Sequence, residues 1–258
     1  MCGLTGIVNL DFSKINQDIL IEMTNQLAHR GPDGFGTEIV NNVGFGHRRL
    51  SILDLSRNGA QPMYSAKQNW LVVFNGCIYN FNELKRDLEK RGHKFNSTTD
   101  TEVIVNMIQF LIEEGNHQEC KLSILKRLTK ILDGTWACII FFEDEPDKLY
   151  FIKNENPLLI GRKKGNVIFT SEPSGFMNMV DNYILLREKT YGYIDNSGNK
   201  EIYGEYKELP LLKLNDNDIN INNDTNNNIV NDIKNDDINK HIIIIINFKI
   251  YLVLIVWA

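Results

Sequence analysis

The chain opens with Met1-Cys2-Gly3-Leu4-Thr5-Gly6, which places a thiol next to the first residue. Initiator methionine is usually removed when the following residue is small. Cys2 would then carry a thiol and a free α-amino group, with reference pKa values of about 8.5 and about 8. A nucleophile whose own amine serves as general base is a minimal device for acyl transfer. A cysteine also reaches position 2 by chance, so the residues that follow have to decide between these interpretations.

Working outward from Cys2, the apolar pattern predicts strands and helices in a mixed order. Residues 3–10 read as a buried strand, and Ile15, Ile19, Met23 and Leu27 have the spacing of one helix face. Further strands are predicted over residues 45–53, 70–74, 135–142, 149–152 and 167–171, and further helices around residues 84–88, 103–113 and 125–132. Because βαβ repeats are absent, this order predicts a layered two-sheet sandwich with outer helices rather than a doubly wound sheet.

Two neighbouring arginines, Arg48 and Arg49, fall on the strand predicted over residues 45–53. Adjacent residues of a strand point to opposite faces, so one arginine can reach a pocket while the other is solvated. An arginine in a pocket suits a carboxylate, because its fork matches two oxygens. The alternative interpretation is that both arginines are solvated.

Two polar motifs later in the chain each allow two interpretations. Asn75-Gly76 could supply a side-chain amide and a backbone N–H to an oxyanion hole, or it could be a tight turn. Thr99 and Glu102 fit a capping box, which places Asp100 at a helix start. Asp100 is then either a ligand for a cation or an ordinary first-turn acid that favours the helix dipole.

Composition limits the classes of function. The 258 residues are 43% hydrophobic with a net charge of −5, which suits a globular core and gives no reason to expect a nucleic-acid partner. The four cysteines include no CxxC pair, so neither a zinc site nor a redox motif is predicted. No signal peptide is visible, and a reduced, cytoplasmic setting is expected.

The C-terminal stretch differs in composition from the rest. Residues 213–258 are rich in Asn, Asp and Ile, and we expect them to form a low-complexity, disordered tail. The tail ends in an apolar run interrupted by Asn247 and Lys249, which falls just short of a membrane span. A membrane anchor is therefore the weaker interpretation of this run, and an arbitrary or mis-assigned chain end is the stronger one.

Read together, the short motifs occur in one order that resembles a known family. They are Cys2-Gly3, His29-Arg30-Gly31-Pro32-Asp33, Gly46-His47-Arg48-Arg49-Leu50-Ser51-Ile52, Gln61-Pro62, Asn75-Gly76, Ile78-Tyr79-Asn80 and Asp100-Thr101-Glu102. This set resembles the class II, N-terminal-nucleophile glutamine amidotransferase domain, which is the glutaminase half of asparagine synthetase. Two later motifs resemble the domain of glutamine–fructose-6-phosphate aminotransferase, namely Leu132-Asp133-Gly134-Thr135-Trp136-Ala137 and Pro157-Leu158-Leu159-Ile160-Gly161.

The resemblance implies a fold and a role for each candidate residue. The fold would be α+β, a four-layer α/β/β/α sandwich of the N-terminal-nucleophile hydrolase type, over residues 2–212. Cys2 would be the catalytic nucleophile, and its α-amine would carry the proton to the leaving ammonia. Asn75 and Gly76 would bind the substrate and stabilise the oxyanion. Arg49 would bind the α-carboxylate of glutamine and Asp100 its α-ammonium. No metal and no cofactor are implied.

Two departures from the family pattern leave the function open. Cys77 stands where asparagine synthetase usually has glutamate, and it is interpreted as a buried small residue. No second, ammonia-using domain is recognised after about residue 212, so a separate synthase chain could be the partner. The leading prediction is a glutaminase that converts glutamine into glutamate and ammonia. The alternatives are a remnant that binds glutamine without turnover and a truncated product without a settled function.

Overall fold

Two antiparallel sheets form the centre of the structure. The computed structural model describes residues 1–115, 119–163 and 165–210, so the stretch predicted to be a disordered tail lies outside the described residues. The strands are β1 (Gly3–Asn9), β2 (Gly34–Val40), β3 (Val43–Arg49), β4 (Met63–Tyr64), β5 (Trp70–Ile78), β6 (Gly134–Phe142), β7 (Lys148–Asn154), β8 (Leu159–Lys163), β9 (Asn166–Thr170), β10 (Asn182–Leu186), β11 (Thr190–Asp195), β12 (Lys200–Tyr203) and β13 (Tyr206–Pro210).

Neither sheet follows the order of the sequence. The first sheet has the order β13-β10-β8-β9-β1-β3-β2, and the second has the order β12-β11-β7-β6-β5-β4. The strand that follows Cys2, β1, lies between β3 and β9, and both of these neighbours run antiparallel to it. A doubly wound parallel sheet is therefore excluded, as the order of elements predicted.

The helices cover the outer faces of the two sheets. They are α1 (Gln17–Asn25), α2 (Phe81–Lys90), α3 (Asp100–Glu114) and α4 (Lys121–Ile131), with short 3-10 helices at Arg57–Gly59 and Pro173–Phe176. Helix α1 packs on the first sheet through Leu20 and Met23, and α2, α3 and α4 pack on the second. The predicted layered α+β sandwich is confirmed.

Strand β5 shows how a single strand serves two cores. Leu71 and Val73 belong to the apolar core between the sheets, together with residues of β1 and β3. Val72 and Phe74 point the other way and pack under the helices of the second sheet. Successive side chains of a strand alternate between its faces, so a strand buried on both sides is apolar at every position.

The predicted apolar face of the first helix is partly wrong. The helix begins at Gln17, because the side chain of Asn16 caps the backbone N–H groups of Asp18 and Ile19. With this start Leu20 and Met23 are buried, whereas Ile19 is 36% exposed. Among the described residues, no helix combines the length and the apolar character that crossing a membrane requires.

Candidate active site

Cys2 lies directly before β1 and contacts the chain that leaves β3. Its Sγ accepts a hydrogen bond from the backbone N–H of Leu50 at 3.3 Å and lies 3.7 Å from the carbonyl oxygen of the same residue. Burial raises the pKa of the Cys2 thiol, and the bond from Leu50 opposes that shift. The thiol is therefore held in place but is not ionised by its surroundings, so it needs a base to take its proton.

The loop after α1 holds the backbone of Cys2. Arg30 donates from Nε to the Cys2 carbonyl oxygen at 3.0 Å. The loop packs closely against β3 because the next residue is a glycine, and a Cβ on Gly31 would lie 2.2 Å from the carbonyl oxygen of Arg48. Arg30 was quoted from the sequence within a family motif but was assigned no role. Its position one residue before a glycine was the available signal.

Arg49 ends β3 with its guanidinium fixed by the following loop. It donates from Nη1 to the carbonyl oxygen of Ser56 at 2.7 Å and from Nη2 to the carbonyl oxygen of Asp54. The guanidinium also needs the space beside Gly59, where a Cβ would lie 2.2 Å from Nη2. Arg48 turns to the other side of the strand and donates to the carbonyl oxygen of Gly31 at 3.2 Å. The prediction that the two arginines occupy opposite faces is confirmed.

Asn75 and Gly76 lie inside strand β5, so the turn interpretation is wrong. Asn75 pairs with Ala137 of β6, and Gly76 pairs with Trp136. A Cβ on Gly76 would lie only 2.1 Å from the carbonyl oxygen of Thr135, so this close strand pairing requires glycine. An Asn-Gly pair favours a turn only when the chain is free to reverse, and here the strand continues to Ile78.

The side-chain amide of Asn75 is an unused donor. Asn75 is 1% exposed, and its Nδ2 has no hydrogen-bond partner among the described residues. Its backbone carbonyl oxygen accepts a hydrogen bond from Asn156 Nδ2 at 3.0 Å. Buried donors are rarely left unpaired in proteins, and an unpaired one at a cavity is a candidate donor to a ligand.

Asp100 is the first residue of α3, and its carboxylate is buried. Its Oδ2 accepts a hydrogen bond from the backbone N–H of Ile78 at 3.1 Å. Burial raises the pKa of this carboxyl, and the backbone hydrogen bonds oppose the shift. The predicted capping box is half formed. Thr99 Oγ1 accepts from the Glu102 N–H at 3.3 Å, but Glu102 turns back to Asn96 and Ser97 instead of Thr99.

One cavity of about 220 Å³ brings all of the predicted site residues together. They are Cys2, Arg49, Asn75, Gly76 and Asp100. The cavity therefore presents a thiol, a cation, an anion and a free amide donor to the same space. Met1 also lines it, next to the thiol.

Two further residues that the sequence analysis named without giving them a role in the site, Gln61 and Cys77, also line this cavity. Gln61 accepts from the backbone N–H of Phe74 at 2.6 Å and donates to Thr101 Oγ1 at 3.1 Å. It thereby joins the strand that carries Asn75 to the helix that begins at Asp100. Cys77 was interpreted as buried, but it is exposed and lines the cavity. Two residues after Asn75 on β5, it lies on the same face of the strand as Asn75.

Solved structures share this fold. A glutamine phosphoribosylpyrophosphate amidotransferase from B. subtilis, solved with ADP and GMP, matches with a TM-score of 0.63 at 20% identity, over 82% of this chain and 49% of that chain. A structure described as the allosteric regulatory enzyme of purine biosynthesis matches with the same TM-score at 21% identity. At this level of identity the likeness shows the fold alone, and it defines the structural class of this chain as a layered α+β sandwich.

Comparison of sequences identifies the family within that class. A family model described as a glutamine amidotransferase domain matches residues 1–210, and the chain belongs to this family. It is 30% identical over 224 residues to the glutamine–fructose-6-phosphate aminotransferase (isomerizing) of Pyrococcus horikoshii, which covers 75% of this chain and 36% of the relative. It is 39% identical over 118 residues to the glutamine-hydrolyzing asparagine synthetase 1 of Bacillus subtilis, over 45% of this chain and 18% of the relative.

These matches confirm the predicted resemblance to both kinds of glutaminase domain. The chain spans little more than a third of the length of the Pyrococcus horikoshii relative, 36%, and 40% of the corresponding enzyme of Thermococcus kodakarensis. What those longer proteins do beyond the shared domain therefore does not transfer directly to this chain.

Proposed function

We propose that this domain hydrolyses the side-chain amide of glutamine to glutamate and ammonia, with Cys2 as the nucleophile. The observation that carries the proposal is the single cavity lined by the thiol, by Arg49 and Asp100, and by the unpaired amide of Asn75. Membership of the glutamine amidotransferase domain family supports the choice of glutamine. The domain would extend over residues 2–212.

The charges of the cavity suit the two ends of an amino acid. The Arg49 guanidinium would hold the α-carboxylate, because its planar fork offers donors that match two carboxylate oxygens. The Asp100 carboxylate would hold the α-ammonium. With both ends fixed, the side-chain amide can extend toward Cys2 and Asn75, which line the same cavity. Such positioning replaces an encounter between free reactants by a reaction between oriented groups.

The chemistry would proceed through a thioester. Once Met1 has been removed, the α-amine of Cys2 takes the thiol proton, and Sγ attacks the amide carbon of glutamine. The oxygen of that amide becomes an oxyanion, which accepts hydrogen bonds from Asn75 Nδ2 and the Gly76 N–H. The amine then protonates the leaving nitrogen, and ammonia departs. Water hydrolyses the thioester, releases glutamate and restores the thiol.

The ammonia released at Cys2 needs an acceptor. The relatives are longer proteins named for synthesis or transfer, and we propose that a synthase site, on a separate chain, receives the ammonia made here. The thiol chemistry requires Cys2 to stay reduced, which fits a cytoplasmic setting. The described part of the chain contains four free cysteines and no disulfide, in keeping with that setting.

The state of the N-terminus tests this proposal directly. With Met1 present the nitrogen of Cys2 is an amide and cannot act as a base, and Met1 itself lines the cavity. A preparation shown by mass spectrometry to begin at Cys2 should release glutamate from glutamine. A chain with an unprocessed extension should have a kcat lower by about 100-fold or more, the usual contribution of a general base.

The extended chain also separates turnover from binding. It retains Arg49 and Asp100, so it should still bind glutamine, which calorimetry can detect. This is the alternative function, a domain that binds glutamine without turnover. Full activity of the extended chain would contradict the role of the amine, and no activity in either preparation would contradict the proposed hydrolysis.

A further inference from the structure

We propose that Glu172 is a positioning residue, which holds the Arg30 guanidinium and through it the carbonyl group of the nucleophile Cys2. This inference rests on the proposed function and deepens it. It adds a residue that lies 170 positions from Cys2 in the sequence and is not among the residues lining the cavity.

Arg30 is largely enclosed beside the backbone of Cys2. Its side chain is only 11% exposed, and its Nε donates to the Cys2 carbonyl oxygen at 3.0 Å. Its Nη2 is buried without a hydrogen-bond partner among the described residues. Burial lowers the pKa of Arg30, and the nearby Glu172 opposes that shift. A guanidinium removed from water to this extent depends on a counter-charge to stay in place.

Glu172 supplies this counter-charge. Its Oε2 lies 3.5 Å from Arg30 Nη1, and its Oε1 lies 2.5 Å from His29 Nε2. The carboxylate thus holds two consecutive residues of the loop after α1. His29 is 62% exposed, whereas Arg30 is nearly enclosed, so the contact with Arg30 is the one shielded from solvent. In the described part of the chain, no other carboxylate forms an ion pair with Arg30.

The backbone next to Glu172 is hydrogen-bonded to β1, the strand that follows Cys2. The N–H of Ser171 donates to the carbonyl oxygen of Leu4 at 3.1 Å, and the N–H of Leu4 donates to Ser171 Oγ at 3.0 Å. The residue before Glu172 is therefore fixed to Leu4, which lies two residues after Cys2 on β1. The result is a closed path from Cys2 through Arg30 and Glu172 to Ser171 and Leu4.

A closed path of this kind fixes the peptide that carries the nucleophile. Attack on an amide carbon requires the sulfur within a narrow range of distance and angle, and small displacements are costly in rate. Glu172 does not line the substrate cavity, so its loss should leave glutamine binding intact. We therefore expect the loss to lower kcat and not to raise KM.

The experiment combines Glu172→Gln with Arg30→Lys in a double-mutant cycle on the full chain. Glu172→Gln keeps the size of the side chain and removes its charge, and we expect kcat to fall about tenfold. Arg30→Lys should lower kcat as well. Because Glu172 acts through Arg30, the double variant should be no slower than Arg30→Lys alone. KM should stay within about twofold throughout.

A control and a conservative variant make the result specific. Glu114→Gln removes one carboxylate of the Arg127 ion pairs, away from the cavity, and should leave kcat unchanged. Glu172→Asp retains the charge and should recover part of the lost rate. If Glu172→Gln does not fold, as judged by its thermal unfolding curve, Glu172→Asp is compared with Arg30→Lys in its place.

Several outcomes would overturn the inference. Wild-type kcat in Glu172→Gln would do so, as would a rise in KM alone or losses that multiply in the double variant. If the wild-type protein releases no glutamate, the proposed hydrolysis fails and the positioning role is read from the alkylation of Cys2 by iodoacetamide, followed by peptide mass spectrometry. Glu172→Gln should then alkylate Cys2 faster than Glu114→Gln does, and equal rates would refute the role.

Discussion

To bind an ammonium group, the Asp100 carboxyl has to be ionised although it is largely shielded from water. It is 7% exposed, and burial raises its pKa. Backbone hydrogen bonds, the first of them from the N–H of Ile78, compensate part of this desolvation. The ammonium group of an amino acid bound beside this carboxylate would compensate the rest. Such sites commonly lower the stability of a fold for the sake of binding.

Replacing Asp100 by asparagine should therefore weaken binding and stabilise the fold. Losing a buried charge partner costs on the order of 2–5 kcal/mol, which raises KM for glutamine by about 30-fold or more. The raised pKa means that the folded state holds its proton to a higher pH than the unfolded state. Stability is then lost as pH rises through the folded pKa. Asp100→Asn avoids this loss, so it should unfold at a higher temperature than wild type at pH 8.

The same variant has a simple control and a clear refutation. Asp87→Asn removes an exposed carboxylate that pairs with Lys90, and it should change neither KM nor the unfolding temperature appreciably. The stability gain of Asp100→Asn should shrink in acid, where Asp100 is protonated in both states. An unchanged KM in Asp100→Asn would show that the carboxylate does not bind the substrate.

Between elements, the two sheets are joined by a hydrogen bond next to the proposed oxyanion donor. His47 of β3 is 1% exposed, and its Nε2 lies 3.2 Å from the carbonyl oxygen of Phe74 on β5. Burial lowers the pKa of His47 to about 3, so the ring is neutral and donates from Nε2. Phe74 directly precedes Asn75. This bond thus ties the strand that ends at Arg49 to the strand that carries Asn75.

His47→Gln should change how stability depends on pH. An unfolded histidine binds a proton below about pH 6.5, whereas the folded His47 does so only near pH 3. Within this window the unfolded state binds more protons, so wild-type stability falls as pH falls, by at most about 1.4 kcal/mol per pH unit from this group. Glutamine can keep the hydrogen bond but cannot titrate.

Urea unfolding at pH 7 and at pH 5 measures this effect. The free energy of unfolding of His47→Gln should fall less between the two pH values than that of wild type. His93→Gln, at a position outside the core between the sheets, serves as the control for the loss of a histidine. Parallel pH dependence in wild type and His47→Gln would contradict a buried, neutral His47.

The sequence predicted those elements whose pattern is local. The apolar run of β5 and the capping residue Thr99 of α3 were recognised because alternation and capping depend on neighbours in the chain. The position of Asn75-Gly76 within a strand was not determined by the dipeptide, since pairing with β6, some sixty residues later, keeps the chain extended. Short strands such as β4 and β12 were missed because pairing partners distant in sequence define them.

The candidate site residues depended less on local pattern than the helices and strands did. Cys2, Arg49, Asn75 and Asp100 were selected by their chemistry and by resemblance, and the fold brings them to one cavity. Arg30, Gln61 and Glu172 were not selected, because they act on the backbone or on another side chain. The hydrogen bonds of Arg30 to Cys2 and of Gln61 to Phe74, and the ion pair of Glu172 with Arg30, depend on the three-dimensional fold.

In the molecule as a whole, the cavity lies at the ends of strands from both sheets and at the start of helix α3. β1 supplies the start of the chain, β3 supplies Arg49, β5 supplies Asn75 and Gly76, and α3 supplies Asp100. Strands from both sheets are thus needed to assemble this one cavity. The four-layer sandwich serves here as a frame that holds chain segments from distant parts of the sequence at fixed positions.

If Cys2 is the nucleophile, the other cysteine of the cavity, Cys77, provides a matched control. Cys77 is a second thiol that lines the same cavity and is exposed. The most direct measurement is glutamate release from glutamine by wild type, Cys2→Ala and Cys77→Ala, each shown to be folded by its unfolding curve. Cys2→Ala should release no glutamate above background, and Cys77→Ala should retain kcat within about threefold. Glutamate release by Cys2→Ala at a rate near that of wild type would contradict the assignment of Cys2 as the nucleophile.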